Sequence, residues 1–272
     1  GHRGPLQIIV KDQFIYKPDK KGSESSFYER AQHTALSPFM AGYHGSEETD
    51  KGYGAMRYCK LDNLLHGYVH PCILDLKVCT RSWHDDCTAE KKEFQKAVDR
   101  RTTTAEYGLR PCGMKLYQKE CDHYVAYGEP LRDKITSYEV LKKLIKVFIQ
   151  QHGTISEDAV VEITPPKCTV EELQQLQKNF ENDTPDDREV FDVLIRKLSV
   201  KLTELQKAYA SAGFEIISSS LLFFFDCDNP VDTIDVKMID FTHWKASKTE
   251  EGDGYLVGLT SLVRILSDLL RE

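Results

Sequence analysis

With 272 residues, 40% of them hydrophobic, the chain can bury a sizeable core as one large domain or two lobes, which excludes a disordered chain. A formal net charge of -7 excludes a general nucleic-acid binder, although a local basic patch can still hold a compact anion. Eight cysteines without a Cys-x-x-Cys pair or a zinc-like cluster with histidine predict reduced thiols in an intracellular protein, cytoplasmic or nuclear.

No apolar run reaches the ~18 to 20 residues of a membrane helix, and the N-terminus lacks the basic-then-apolar pattern of a signal peptide. The abrupt start at Gly1-His2-Arg3-Gly4 reads as a trimmed fragment. Leu6 to Val10 and Phe14 to Lys17 predict a hairpin turning at Lys11-Asp12-Gln13 and closed by Pro18. Ser25 to Arg30 then predicts a helix with a serine N-cap. A strand lysine followed by a helix glutamate is how protein kinases hold ATP phosphates, which makes Lys17 and Glu29 candidates. On these residues alone, two surface charges are the other reading, because no glycine-rich loop precedes them.

Residues 45 to 55 read as an exposed glycine-rich connection, and Met56 to Leu65 as a strand running into a turn, where a two-lobed enzyme would place its hinge. Pro71 to Cys79 is an apolar run carrying Asp75 and Lys77. In an extended chain the two side chains share a face, roughly 6 to 7 Å apart. A carboxylate and an ammonium facing one volume suit phosphoryl transfer. Asp-x-Lys recurs at Asp19/Lys21 and Asp235/Lys237, so context must choose among the copies.

From about Thr88 to Arg101 a helix is predicted, with Lys92, Lys96 and Arg100 in one stripe and Lys91 beside it. A phosphate-binding face and a solvated face both fit that stripe. Tyr107 to Tyr117 predicts a turn into an alternating strand, and Ser137 to Gln151 a core helix stopped by Gly153. Residues 156 to 187 read as a polar insertion with a short helix at 169–180, and 187–213 as a long amphipathic helix. Ser218 to Asp226 and Asp235 to Phe241 predict two strands of a hairpin, the second ending at Asp240, positioned to hold magnesium. An amphipathic helix closes the chain over Leu259 to Leu270.

Taken together these motifs resemble the inositol polyphosphate kinase family over nearly the whole chain. The resemblance rests on Gly1-His2, Tyr16-Lys17-Pro18, Phe27-Tyr28-Glu29, the signature Pro71-x-x-x-Asp75-x-Lys77, Ser219-Ser220-Leu221-Leu222, Ile239-Asp240-Phe241 and Gly254-Tyr255 through Gly258-Leu259. Thr80-Arg81, His84-Asp85-Asp86 and Cys112-Gly113-Met114 look most like the inositol hexakisphosphate kinases. His243, where the trisphosphate 3-kinase branch has lysine, points away from that branch.

The resemblance implies an α+β, two-lobed, protein-kinase-like fold. Residues 1 to 65 would form an N-lobe of antiparallel sheet plus helix with the hinge. Residues 66 to 272 would form a larger C-lobe, with an inositol-phosphate-binding helical segment at about 80 to 105 and the insertion at about 156 to 187. It implies ATP and magnesium as cofactors and an inositol polyphosphate as partner of a monomer, with neither nucleic acid nor membrane insertion involved. The γ-phosphate would pass to inositol hexakisphosphate, making a diphosphate, or to lower inositol phosphates. Multikinase-type hydroxyl phosphorylation and an impaired inositol-phosphate-binding pseudokinase are the alternatives.

By this likeness Lys17, with Glu29, contacts ATP phosphates, Asp62 and Asn63 hold the adenosine, Ser220 joins the nucleotide site and Asp240 binds the metal. Asp75 orients or deprotonates the acceptor, and Lys77 bridges donor and acceptor phosphates. Arg81, Lys91, Lys92, Lys96 and His243 hold the acceptor. Cys79 stands where the family signature has glycine, a residue suited to positive φ or close backbone approach, and cysteine tolerates either less well.

Overall fold

The computed structural model describes residues 8–50, 55–119, 122–151, 160–164, 185–246 and 253–272. Gly1-His2, Gly153 and the helix expected at 169–180 lie outside them. Strands β1 (Ile9–Lys11), β2 (Phe14–Pro18), β3 (Tyr43–Asp50) and β4 (Ala55–Asp62) form an antiparallel sheet in the order β1-β2-β4-β3. The expected hairpin is present, with Ile9 opposite Tyr16. The connection expected at 45–55 is instead largely strand: Ser46 to Asp50 pair with Ala55 to Cys59. Glycine and polar residues do not preclude pairing at a sheet edge whose outer side faces water.

Helix α1 (Ser23–Ala31) packs on this sheet. Its start differs from expectation. Gly22, in the left-handed region at φ 66, precedes it, and Ser25 lies inside it. Asp19 does the capping: its carboxylate accepts the Ser25 N–H at 2.9 Å, the Ser25 hydroxyl at 2.7 Å and the Glu24 N–H at 3.3 Å. Burial pushes the Asp19 carboxyl up, but these hydrogen bonds outweigh it and leave the pKa below the usual carboxylate value.

The larger sheet is also antiparallel, in the order β11-β10-β5-β6-β7-β8, from β5 (Pro71–Val78), β6 (Leu109–Gln118), β7 (His123–Tyr127), β8 (Val160–Thr164), β10 (Ser219–Asp226) and β11 (Asp235–Ile239). A two-stranded ribbon, β9 (Glu215–Ile216) with β12 (Trp244–Lys245), stands beside it. The presence of β8 corrects one expectation, since part of the polar insertion is a strand pairing with β7. Strand β5 lies at the centre, between β10 and β6. Cys72, Leu74, Leu76 and Val78 point into the core, leaving Ile73, Asp75 and Lys77 half-buried on the opposite face.

Helix α2 (Ala89–Arg101) starts at Thr88, whose hydroxyl accepts the Lys91 N–H. Two short helices follow, α3 (Thr104–Tyr107) and α4 (Pro130–Lys134). Helix α5 (Tyr138–Gln150) is capped by Gln151, which itself takes the left-handed conformation at φ 63. Helix α6 (Pro185–Ser211) packs against α5, while the one-turn α7 (Pro230–Thr233) joins β10 to β11. The last helix, α8 (Gly254–Leu269), packs on α6 and on β5, and among the described residues no helix is long and apolar enough to cross a membrane.

The seating of α8 depends on two glycines. A Cβ at Gly258 would lie 2.5 Å from the Gly108 carbonyl oxygen and 2.6 Å from a Val78 methyl, while Gly108 itself sits at φ 65. Gly258→Ala is therefore expected to lower unfolding stability by about 1–3 kcal/mol through overpacking, read as a lower denaturant midpoint at unchanged slope. An unchanged midpoint would mean that α8 can move away from β5 at little cost.

Candidate active site

The floor of the site is the half-buried face of β5 and its neighbours. Across β10, Leu222 stands opposite Asp75, and Ser220 opposite Lys77; on β11, Ile239 stands opposite Ser220. Asp75 and Lys77 thus share a face, as their spacing requires. Burial pushes the Asp75 carboxyl up to about 6; a hydrogen bond from Ser220 and the charges of Lys77 and Lys17 work against this shift, and Asp240 adds to it. Asp75 Oδ1 is buried with no hydrogen-bond partner among the described residues. Lys77 Nζ donates to Ser218 Oγ at 2.8 Å.

The roof comes from β2 and α1. Lys17 Nζ donates to Glu24 Oε1 at 2.7 Å and also pairs with Asp240, so one ammonium joins the small sheet to the large one. Burial pulls its pKa down, but Asp240 and Glu24 outweigh that and hold it above the ordinary lysine value. The partner on α1 is Glu24, not Glu29. Glu24, Phe27, Tyr28 and Ala31 form the buried stripe of the helix, whereas Glu29 is exposed and accepts from the Tyr43 hydroxyl at 3.2 Å.

Glu24 Oε1 also accepts the Phe241 N–H at 3.3 Å, and the Phe241 ring stacks on Phe27 at 4.1 Å and meets Tyr28 edge-on at 5.2 Å. Phe241 is thereby anchored on α1. Asp240, at φ 65 just beyond β11, leaves the strand and keeps its side chain 45% exposed beside Lys17. Of the two residues expected to hold adenosine, Asp62 pairs with His44 at 2.7 Å, and Asn63 uses its side chain inside the turn. Its amide donates to the Asp12 carbonyl at 2.8 Å, and its oxygen accepts the Leu65 N–H at 3.2 Å.

A basic wall borders the floor at the end of β5. Asp99 ties it down, accepting the Ser82 N–H at 2.9 Å and the Ser82 hydroxyl at 2.6 Å with Arg110 3.6 Å away. Trp83 is its platform: Lys92 lies over the ring at 4.1 Å, Arg81 at 4.6 Å and Lys96 at 5.7 Å. Lys92 and Lys96 therefore do share one side of α2. Arg81 also pairs with Glu215 at 3.1 Å, Lys96 with Glu93 at 2.8 Å and Lys245 with Asp85 at 2.8 Å. The His243 ring stacks on His84 at 3.9 Å, and Lys77, Lys91 and Lys21 lie close enough to act on its charge.

Cys79 fits its place without a left-handed backbone, since it is not among the residues with positive φ. Its N–H donates to the Gly108 carbonyl at 2.9 Å, and its buried thiol lies beside Gly254 at the start of α8. A Cβ on Gly254 would come within 3.1 Å of that sulfur, so the close approach expected at position 79 is provided by Gly254. Sequence reasoning did not single out Glu24, Ser218, Trp83 or His84 as site residues. For Glu24 a signal existed: it falls on the apolar stripe of α1, where an acidic residue has to be paired.

The sequence and the fold match known proteins. The family model described as inositol polyphosphate kinase covers residues 58–188 and 167–267. The chain belongs to the inositol polyphosphate kinase family. Among its relatives, the inositol hexakisphosphate kinase 3 of Mus musculus is 29% identical over 78% of this chain and 51% of its own length. The chain therefore spans about half the length of that relative. The inositol polyphosphate multikinase beta of Arabidopsis thaliana is 26% identical over 99% of this chain and 89% of its own length. The inositol phosphate multikinase of S. cerevisiae, solved in complex with ADP and Mn2+, shares the fold with a TM-score of 0.67. At 21% identity it covers 95% of this chain and 99% of its own. The two-sheet α+β architecture is that of the family.

Proposed function

We propose that the chain is an ATP-dependent inositol phosphate kinase, transferring the γ-phosphate of ATP to inositol hexakisphosphate or a lower inositol polyphosphate inside the cell. The observation that carries this reading is the Lys17–Asp240 pair, which sets a phosphate-binding cation and a metal-binding carboxylate face to face over Asp75 and Lys77. Leu222 and Ile239, apolar and half-buried on the same floor, offer the adenine ring a surface.

Magnesium fits what is present. The half-exposed Asp240 carboxylate stands beside Lys17, and no cluster of three acidic, histidine or cysteine ligands exists among the described residues. Magnesium is commonly bound by one or two carboxylates completed by substrate phosphates and water. Bound there, it would neutralise the charge that develops on the transferring phosphoryl group. Lys17 has two carboxylate partners in the free protein and can exchange one for a phosphate oxygen, which keeps its positive charge compensated. Lys77, on the same face of β5 as Asp75, would bridge donor and acceptor phosphates. In the transfer, an acceptor oxygen forms the new bond to the γ-phosphorus as the bond to the ADP oxygen breaks.

Multikinase-type transfer to a hydroxyl is favoured by one observation. A carboxylate with its pKa pushed up to about 6 and one buried oxygen without a partner is suited to take a hydroxyl proton near neutral pH, whereas an ionised phosphate acceptor needs no base. Phosphorus NMR of the products separates the two chemistries: a new phosphate monoester marks transfer to a hydroxyl, a diphosphate transfer to a phosphate.

The basic wall is assigned to the acceptor. Replacing Lys92 and Lys96 together by alanine is expected to raise the KM for the inositol phosphate by about 10-fold and leave that for ATP within about 2-fold, as loss of charged contacts to one substrate predicts. Steady-state kinetics with each substrate varied in turn reads this. An unchanged acceptor KM would return the stripe to a solvated helix face.

A further inference from the structure

The cations around the floor divide into two groups. At the rim, Arg81, Lys96 and Lys245 have carboxylate partners in Glu215, Glu93 and Asp85. Around His243 the pattern reverses. Lys21 from the β2–α1 connection, Lys77 from β5 and Lys91 from α2 have no carboxylate within ion-pair distance among the described residues. All three act on the charge of His243, whose ring stacks on His84, 3.9 Å apart and inclined by 20°. His84 Nδ1 is buried and without a hydrogen-bond partner among the described residues. Positive charge and an unused polar atom thus converge from four elements, and of the carboxylates nearby Asp85 and Glu215 are taken by Lys245 and Arg81, while Asp75 lies on the same face of β5 as Lys77.

We propose that His84 is a further acceptor-binding residue, forming with His243 a clamp for one phosphate group of the inositol phosphate that takes up a proton as the phosphate enters. The inference rests on the kinase reading above and names a contact and a linkage within that same site. Three lysine charges with no carboxylate partner among the described residues repel one another and any imidazolium beside them, and an anion relieves both repulsions at once. In the free protein the His243 imidazole is accordingly held neutral at pH 7. Burial pulls its pKa down to about 4, with His84, Lys21, Lys91 and Lys77 adding to the shift.

The sign of the linkage follows. An anion raises the imidazole pKa in the bound state above that of the free state, so binding takes up protons and strengthens as pH falls towards the bound-state pKa. A neutral His243 ring stacked on His84 suits the empty site. Protonated, the pair offers N–H donors to phosphate oxygens in place of repulsion between charges.

The test uses inositol hexakissulfate, whose charges do not titrate in this range, so that any proton taken up goes to the protein. Calorimetry of the whole chain in buffers of different ionisation heat measures the uptake directly. Expected for the unmodified chain is an uptake approaching about one proton and a roughly 10-fold gain in affinity between about pH 8 and about pH 6. His84→Asn and His243→Asn should each flatten that gain to within about 2-fold while ADP still binds, which confirms a folded site. Tight binding of the probe without proton uptake overturns the proposal, as does an undiminished pH dependence in His84→Asn. Failure of the probe to bind also overturns it. The kinase reading stands or falls separately, on phosphoryl transfer.

Discussion

Asp240→Asn is expected to lower kcat by about 10²-fold or more, with unfolding stability changed by less than about 1 kcal/mol. The separation of the two effects comes from the local structure. Asp240 occupies the left-handed region at φ 65, where asparagine is among the residues best tolerated, so the backbone keeps its path. Phe241 carries the packing of this turn through Phe27 and Tyr28, and Lys17 retains Glu24. What is lost is a negative charge 45% exposed at the cleft, the one this account assigns to the metal. Turnover near that of the unmodified chain would remove Asp240 from that role.

Asp75→Asn is expected to cost about 10²-fold in kcat with a hydroxyl acceptor and much less with a phosphate acceptor, because only the hydroxyl has a proton to give up in the transfer. The pH profile carries the same information. With its pKa raised to about 6, Asp75 is an active base above that value and is protonated below it. For the free enzyme, kcat/KM should therefore fall about tenfold per unit as pH drops below about 6, and this limb should vanish in Asp75→Asn. Rates that remain level to about pH 5 in the unmodified chain would contradict a base role and leave Asp75 to position the acceptor.

The three Asp-x-Lys triplets show how far sequence alone reaches. Alternation along a strand correctly placed Asp75 and Lys77 on one face, since period-two geometry is local. The other two copies have structural work that only tertiary contacts reveal. Asp19 caps α1; Asp235 pairs with Lys201 and Lys237, and Lys237 donates to the Pro38 carbonyl at 2.6 Å. The two-sheet architecture was likewise legible from the order of motifs.

Partners across the cleft were less so. Glu29 is in the motif, but five helical positions separate it from Glu24, enough to turn it off the buried stripe, and only the docking of α1 against Phe241 selects Glu24. The stacking of His84 on His243 joins residues 159 positions apart, which no spacing rule connects. Cys79 shows the opposite case: a departure from the motif that suggested strain is accommodated by Gly254, far along the chain.

The central claim is that Lys17, Asp240, Asp75 and Lys77 together make a phosphoryl-transfer site for inositol polyphosphates. Its most direct measurement follows label from γ-labelled magnesium-ATP into inositol phosphates, from trisphosphate to hexakisphosphate, using the purified chain beside Asp240→Asn. Label should appear in a product with one more phosphate than at least one member of the panel, and should nearly vanish with the variant. Folded protein that binds ADP yet transfers label to no member, or transfers it equally well with Asn at position 240, would contradict the account.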